Sequence, residues 1–289
     1  MFCWVLTAAL AAEPPPPDWS VVHGGFIGTR LNPLGLGYNG RLTVRRSLEP
    51  EDAGVLRRGT LFEFGLDGGT SPTFGTLGPM LRIKPLAVLE TSVSLEATKY
   101  YGVLGAVMPF DAVDVDYSDP AIKVRKRAGD NVAAFGARLT VSNTLQAQVG
   151  RVAVRNITTA AWWKLGVDAV GFYEAGRDLL HPNGGWAVVD DVDVLVLEGP
   201  WIAGVRTTYA DALFGTGGTG DQATWRAGPL VALKGADRRD ARSIQHVTAF
   251  MLVQWHLAHP WRAGTTSSQA LPLFALAVAW DGELWRTGR

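Results

Sequence analysis

The stretch from Leu86 to Tyr100, LAVLETSVSLEATKY, constrains the fold of this chain more than any other segment. Its odd-numbered positions from 89 to 97 carry mostly apolar side chains, and its even-numbered positions from 90 to 98 carry polar ones. Side chains of a β-strand alternate between two faces, so the pattern predicts a strand whose faces meet different surroundings. The segment is longer than a typical strand of roughly five or six residues. It supplies the ~9–11 residues that a tilted strand needs to cross a bilayer.

The same alternation recurs along the chain and predicts twelve strands, with no convincing helical periodicity between them. The predicted strands are 20–31, 37–47, 57–67, 72–84, 86–100, 131–142, 144–163, 185–197, 201–213, 223–235, 243–258 and 270–282. Short connections, such as those at 84–85 and 142–144, alternate with longer ones, such as 101–130 and 164–184, along most of the chain. We therefore predict an all-β chain that forms a single closed antiparallel transmembrane β-barrel of about twelve strands, with roughly ten to fourteen tolerated.

The N-terminus has features of an export signal. An apolar run from Phe2 to Ala12 contains small residues at its end, and a proline-rich segment follows it. We predict a signal peptide over residues 1–11, with its start truncated, a linker over residues 12–19 and the barrel over residues 20–289. The alternative is the frayed apolar N-terminus of a cytosolic protein. The one cysteine, Cys3, lies within the predicted signal, so the remaining chain has no thiol for a disulfide or a metal.

Charge and composition narrow the choice of partners. The chain has 27 basic and 27 acidic residues, and this neutral balance gives no reason to expect nucleic-acid binding. Hydrophobic residues make up 47% of the chain, an ordinary share for a soluble protein. A barrel conceals its membrane signal in this way, because every second residue faces the lumen and can be polar.

The alternation separates a predicted lipid face from a predicted lumen face. The lipid-facing positions include Val93, Leu95, Met251, Val253, Leu276 and Val278. The charged lumen positions expected to set selectivity are Glu90, Glu96, Arg138, Arg151, Arg155, Asp191, Asp193, Arg206 and Arg226. Arg41, Arg45, Glu63 and Arg82 fall on the same inner face.

Opposite charges occupy neighbouring predicted strands, where an arginine can pair with a carboxylate in a bidentate manner. Two interpretations remain open. The pairs only neutralise the polar interior of a narrow barrel, or they form a charged constriction that selects solutes. An inward basic excess would favour anions.

Two pairs of residues suggest chemistry only weakly. Ser243 and His246 are three positions apart, so strand geometry directs them to opposite faces and argues against a lipase-type catalytic pair. His256 and His259 have the same spacing, which argues against a shared metal site.

Two loop segments are equally weak signals. The glycine-rich segment 214–220 has no strand-then-helix context, so it does not predict a phosphate loop. Asp111, Asp114, Asp116 and Asp119 could bind a cation, but a solvated acidic loop is the commoner outcome. We predict no catalytic residue, no metal and no cofactor.

The last predicted strand contains Phe274-x-Leu276-x-Val278-x-Trp280, with alanines on the opposite parity. This alternating, aromatic-ended pattern resembles the terminal strand of the outer-membrane β-barrel proteins of Gram-negative bacteria. The rhythm of the strands extends the resemblance over the whole chain after the signal. The resemblance implies a location in the bacterial outer membrane, contact with its lipid, and insertion by the barrel-assembly machinery.

We expect a narrow, porin-like channel for small solutes with a mixed arginine and carboxylate lumen. A structural or interaction barrel with a closed lumen is the alternative. An outer-membrane enzyme of the lipase type is a weaker hypothesis, because no nucleophile, base and acid converge on one rim.

Overall fold

The strands form an antiparallel ring that closes on itself. The structure is a computed structural model that describes residues 19–49, 54–104, 107–214, 223–235, 244–262 and 271–287. Its elements are β1 Trp19–Leu31, β2 Gly35–Ser47, a short 3-10 helix Val55–Arg57, β3 Leu61–Thr70, β4 Phe74–Leu86, β5 Leu89–Tyr101, β6 Met108–Phe110, α1 Asp119–Ala128, β7 Ala133–Val149, β8 Val152–Leu165, β9 Gly171–Glu174, β10 Leu179–Pro182, β11 Gly185–Glu198, β12 Trp201–Leu213, β13 Thr224–Lys234, β14 His246–Ala258 and β15 Leu273–Arg286. The predicted signal peptide lies outside the described residues, as does the predicted linker except for Trp19. No helix within these ranges is long and apolar enough to span a membrane.

Twelve of the fifteen described strands form the ring, in the order β1-β15-β14-β13-β12-β11-β8-β7-β5-β4-β3-β2. β1 closes the ring by pairing with β15, where Ile27 lies opposite Val278. Closure leaves no strand edge with unpaired backbone groups. The predicted all-β fold and the predicted count of twelve barrel strands are confirmed.

The other three strands form a small sheet in the order β10-β9-β6. They lie in two long connections, 102–132 and 166–184, which leave the ring at the same end. We call this end the mouth. The opposite end, which we call the turn end, has the two-residue connections 87–88, 150–151 and 199–200.

Helix α1 lies in the connection between β5 and β7, where no helix was predicted from the sequence. Ser118 caps it by accepting a hydrogen bond from the backbone N–H of Ala121, and Pro120 occupies the first turn. Basic residues fill the last turn, and Gly129 ends the helix with a φ of +83°. The prediction was wrong because this ten-residue helix has no buried face, so no apolar period marks it.

Strand boundaries also differ from their predicted positions, most clearly at the β7–β8 turn and at the end of β15. The turn predicted at 142–144 lies inside β7, and the chain reverses at Gly150 and Arg151 instead. Gly150 has a φ of +59°, which glycine adopts without strain. The last strand was predicted to end at 282 but continues to Arg286.

The two faces of the ring meet different surroundings. Leu95 and Leu276 are 52% and 44% exposed, whereas Ala275 and Ala277 are at most 5% exposed. Exposed tryptophans lie near strand ends on the outer face, where amphipathic rings suit a bilayer interface. They include Trp201, Trp225 and Trp285. An apolar belt around a closed ring of strands is the surface expected of a transmembrane β-barrel.

We predict that Val253→Arg lowers the free energy of unfolding by ~2–4 kcal/mol, because it places a charge on the outer face in the middle of β14. Leu257→Arg is the matched control. It lies on the same face at the mouth end of β14, where an interfacial arginine costs only ~0–1 kcal/mol. Denaturant titration of protein refolded in phospholipid vesicles measures both values. Equal losses for the two variants would contradict the assignment of this face to lipid.

Candidate functional site

A buried charged cluster joins β8, β11 and β12 around Asp193. The strand register places Asp193 directly opposite Arg155 on one side and Arg206 on the other. Its carboxylate accepts a hydrogen bond from Nε of Arg155 at 2.9 Å and another from Nε of Arg206 at 2.7 Å. Asp193 is fully buried, so the pairing must offset the desolvation of three charged groups.

Asp191 continues this cluster towards the mouth. Its carboxylate accepts a hydrogen bond of 2.5 Å from the hydroxyl of Thr208, which in turn accepts one of 2.9 Å from Nε2 of Gln254. Arg226 lies nearer the mouth, directly opposite His256 on the neighbouring strand, and its side chain is buried. Polar groups therefore follow one another along the inner wall of β11–β14.

A second cluster surrounds Glu63 in the turn-end half of β2–β5. Arg45, Glu63 and Arg82 form one row across three strands. The Glu63 carboxylate lies 2.5 Å from Nε of Arg45 and 2.7 Å from Nε of Arg82. Arg82 also lies 3.5 Å from Glu90, which links the cluster to β5.

A third cluster lies nearer the mouth on β5 and β7. Arg138 forms a bidentate pair with Glu96, through Nε at 2.9 Å and Nη2 at 2.7 Å. The Arg138 guanidinium also lies 5.2 Å from the ring centre of Trp163, and that of Arg177 lies 5.5 Å from the same ring. Arg177 belongs to the 166–184 connection. These cation–π contacts therefore join the barrel wall to a connection at the mouth.

The small sheet lies inside the mouth of the barrel. Leu179 of β10 is fully buried against Ala187 and Ala210, which point inward from β11 and β12. Phe172 of β9 stacks on His181 of β10 with ring centres 5.3 Å apart. The long connections therefore fold into the lumen and pack there through apolar contacts.

A polar network holds this sheet in place. Asp178 accepts hydrogen bonds from the hydroxyl of Tyr173 at 2.7 Å and from Nε of Arg262 at 2.5 Å. Arg262 also donates to both carboxylate oxygens of Asp119 at 2.6 Å and to the side chain of Asn32 at 2.9 Å. One guanidinium thus joins the connection after β14 to the first residue of α1, the 166–184 connection and the β1–β2 turn.

The surroundings of Asp178 favour its ionised form. Burial by itself would raise the pKa of Asp178, but the hydrogen bond from His259 and the charge of Arg262 hold that pKa well below its ordinary range. A carboxylate with a lowered pKa contributes stability above its unfolded-state pKa, and this contribution is lost only as the pH falls through the folded-state value. We therefore expect Asp178 to stay ionised at neutral and mildly acidic pH.

His256 and His259 lie close together, contrary to the parity argument. β14 ends at Ala258, so His259 lies beyond the strand and is not bound by its alternation, and its ring centre lies 5.2 Å from that of His256. Ligand atoms of the two rings and of Asp178 lie within 4.8 Å of one another. Both carboxylate oxygens of Asp178 already accept hydrogen bonds, one from Tyr173 and one from Arg262. The positive charge of Arg262 also disfavours a metal cation beside Asp178 and the two histidines. The expectation of no metal stays a prediction.

Eight of the nine predicted lumen residues point inward. They are Glu90, Glu96, Arg138, Arg155, Asp191, Asp193, Arg206 and Arg226. The lumen placement of Arg151 was wrong, because this residue lies in the β7–β8 turn with a side chain 73% exposed and pairs with Glu198. The predicted strand 144–163 ran through the true turn, so its parity was extended to a residue outside the wall.

The mouth network was not predicted from the sequence, because Asp178 and Arg262 are 84 positions apart. Short-range periodicity has no means of joining them. Asp119 was noted only as part of an acidic loop. Ser243, the predicted neighbour of His246, lies outside the described residues, as do residues 215–220 of the glycine-rich segment.

Comparisons with known proteins give only distant likenesses. No family model matches the sequence, and no curated protein does either. The outer-membrane protein Omp33 of Acinetobacter baumannii is 8% identical, with 92% of this chain and 98% of that chain covered and a TM-score of 0.34. The outer-membrane protein OprD of Pseudomonas aeruginosa is 9% identical, with 94% and 95% covered and a TM-score of 0.29. The function is therefore inferred from this barrel's own residues.

We predict that Asp193→Asn lowers the free energy of unfolding by ~3–5 kcal/mol, since it removes the negative charge that two buried guanidinium groups share. Glu198→Gln is the control, because it breaks the exposed pair with Arg151 and should cost less than ~1 kcal/mol. Unfolding in urea, followed by tryptophan fluorescence in vesicles, compares the two. A small loss for Asp193→Asn would mean that the cluster does not stabilise the barrel.

Proposed function

We propose that the protein is a narrow, porin-like channel for small solutes in the outer membrane of a Gram-negative bacterium. The observation that carries the proposal is the set of charged clusters inside a closed barrel with an apolar outer belt. The clusters around Glu63 and Asp193 lie in the turn-end half, and Asp191 and the Glu96–Arg138 pair place further charges nearer the mouth.

A contribution to stability does not by itself explain why the lumen contains these charged side chains. A buried ion pair is often no more stabilising than apolar side chains of the same volume. The same barrel fills another part of its interior with apolar residues, among them Leu195, Leu230 and Leu252. Charged side chains along the remaining wall support a role in passing or selecting polar solutes.

The sheet in the mouth would act as the barrier of this channel. Leu179 of this sheet packs on Ala187 and Ala210 of the wall, and the Asp178–Arg262 network links the sheet to the other connections. The sheet and the residues of this network lie in the connections rather than in the ring. Opening would therefore require movement of the connections while the hydrogen-bonded ring stays intact. Charged pairs near the mouth, such as Glu96–Arg138, would select solutes by their charge.

A closed structural barrel is the second candidate, and one observation favours it. Inward side chains such as Thr43, Glu63, Thr98 and Asp193 are at most 1% exposed. A barrel of twelve strands lies between small, filled barrels and sixteen-stranded porins with aqueous channels, so strand number does not separate the two candidates.

We predict small, infrequent conductance steps for the wild-type protein in planar bilayers. Deletion of residues 107–129, which contain β6 and α1, should produce larger and more frequent steps because it removes part of the barrier. Asp178→Asn is a milder second variant that weakens the same network. Heat-dependent mobility on gels checks that each variant is folded. Silence of the folded wild type and of both folded variants would contradict the channel and support the closed barrel.

We predict opposite changes in ion selectivity from the two halves of one pair. Each substitution leaves one uncompensated charge beside the path. Glu96→Gln should therefore make the channel more selective for anions and Arg138→Gln more selective for cations, as measured by the reversal potential. The control is Arg151→Gln in the exposed Arg151–Glu198 pair, which should leave the ion selectivity unchanged. Shifts of the same sign for both lumen variants would show that Glu96 and Arg138 do not line the path.

A further inference from the structure

A row of polar side chains crosses the outer face of the barrel. Thr91, Asn143, Thr158 and Asp190 lie directly opposite one another on β5, β7, β8 and β11. Asn156 adjoins the row on β8. We call these five residues the outer polar row. Their positions alternate with buried, inward-facing ones, such as Ile157 and Asp191, so the row faces outward.

The row lies deep in the apolar belt. Thr158 is six residues from each of Val152 and Lys164, near the two ends of β8. At about 3.3 Å per residue and a tilt of roughly 40°, it lies ~15 Å from either level, close to the midplane of an apolar belt about 25 Å tall. Asp190 is four residues from Trp186 and eight from Glu198.

Asp190 is exceptional among the charged residues of the outer face. The others on the described strands lie within two residues of a strand end, where a charge can reach the interface. They are Arg46, Lys99, Lys164, Glu198 and Asp211. A carboxylate in the middle of the belt is costly in lipid, so this surface is suited to a polar partner rather than to hydrocarbon.

The hydrogen bonds within the row are incomplete. Oδ1 of Asp190 accepts from Nδ2 of Asn156 at 2.7 Å and from the hydroxyl of Thr158 at 2.6 Å. Oδ1 of Asn143 accepts from the hydroxyl of Thr91 at 2.8 Å. Within the described part of the chain, Oδ2 of Asp190 has no donor and Nδ2 of Asn143 has no acceptor. The row therefore offers an acceptor on its β11 side and a donor on its β7 side.

We propose that a second copy of this chain covers the outer polar row and forms a symmetric dimer within the membrane. Two copies with the same orientation are related by a two-fold axis along the membrane normal. If that axis passes beside Thr158, the Asp190 of each copy faces the β7 side of the other row, where Nδ2 of Asn143 lies. The acceptor side of each row therefore meets the donor side of the other.

The central position of Thr158 provides a test. Thr158→Cys in a Cys3→Ser background places a single thiol beside the proposed axis. Leu276→Cys is the control, since Leu276 is equally lipid-facing but lies on β15, away from the row. Both proteins are refolded in dilauroylphosphatidylcholine vesicles and oxidised with copper phenanthroline. We expect a cross-linked dimer for Thr158→Cys and little for Leu276→Cys.

A second substitution separates a specific dimer from chance collision. Asp190→Val, added to Thr158→Cys, should lower the dimer association constant by about tenfold, because the symmetric dimer loses two hydrogen bonds within the membrane. Heat-dependent gel mobility confirms that the ring is folded. Equal cross-linking of the two cysteine positions, absence of the dimer, or a dimer that Asp190→Val leaves unchanged would each overturn the proposal. Cross-linking only to a different protein in native membranes would also overturn it.

Discussion

Closure of the strand ring is the constraint on which the rest of this structure depends. Hydrocarbon offers no partner for a backbone N–H or C=O group, so a sheet in a bilayer must have no free edge. Pairing of β1 with β15 meets this requirement with strands at opposite ends of the sequence. Once the ring is closed, every second side chain faces lipid and the others face a narrow lumen.

The closed ring also sets where the charged groups meet. Antiparallel register places residues of adjacent strands opposite one another, so a carboxylate with an arginine on each neighbouring strand becomes a three-member cluster. Asp193 and Glu63 both occupy such a central position. Because the lumen is narrow, the long connections at the mouth pack against inward-facing alanines such as Ala187 and Ala210.

Sequence predicts the parts of this molecule that depend on local alternation. Each inward charge on a long strand, such as Glu96 or Arg206, follows from parity within its own segment. Parity does not reveal where a strand ends, and Arg151 was misplaced for that reason. The Asp178–Arg262 contact depends on how two connections fold into one mouth, and α1 has cap residues but no buried face. Neither leaves a periodic signal.

Asp190 and Asp191 show how strictly the register must be kept. They are consecutive, yet one points to the lipid-facing surface and the other into the barrel, where Thr208 and Arg206 contact it. A slip of one residue would exchange them and turn the apolar face of β11 inward. It would also move Asp193 away from Arg155 and Arg206. The buried ion pairs therefore favour the observed register, since a one-residue slip would leave these charged groups unpaired.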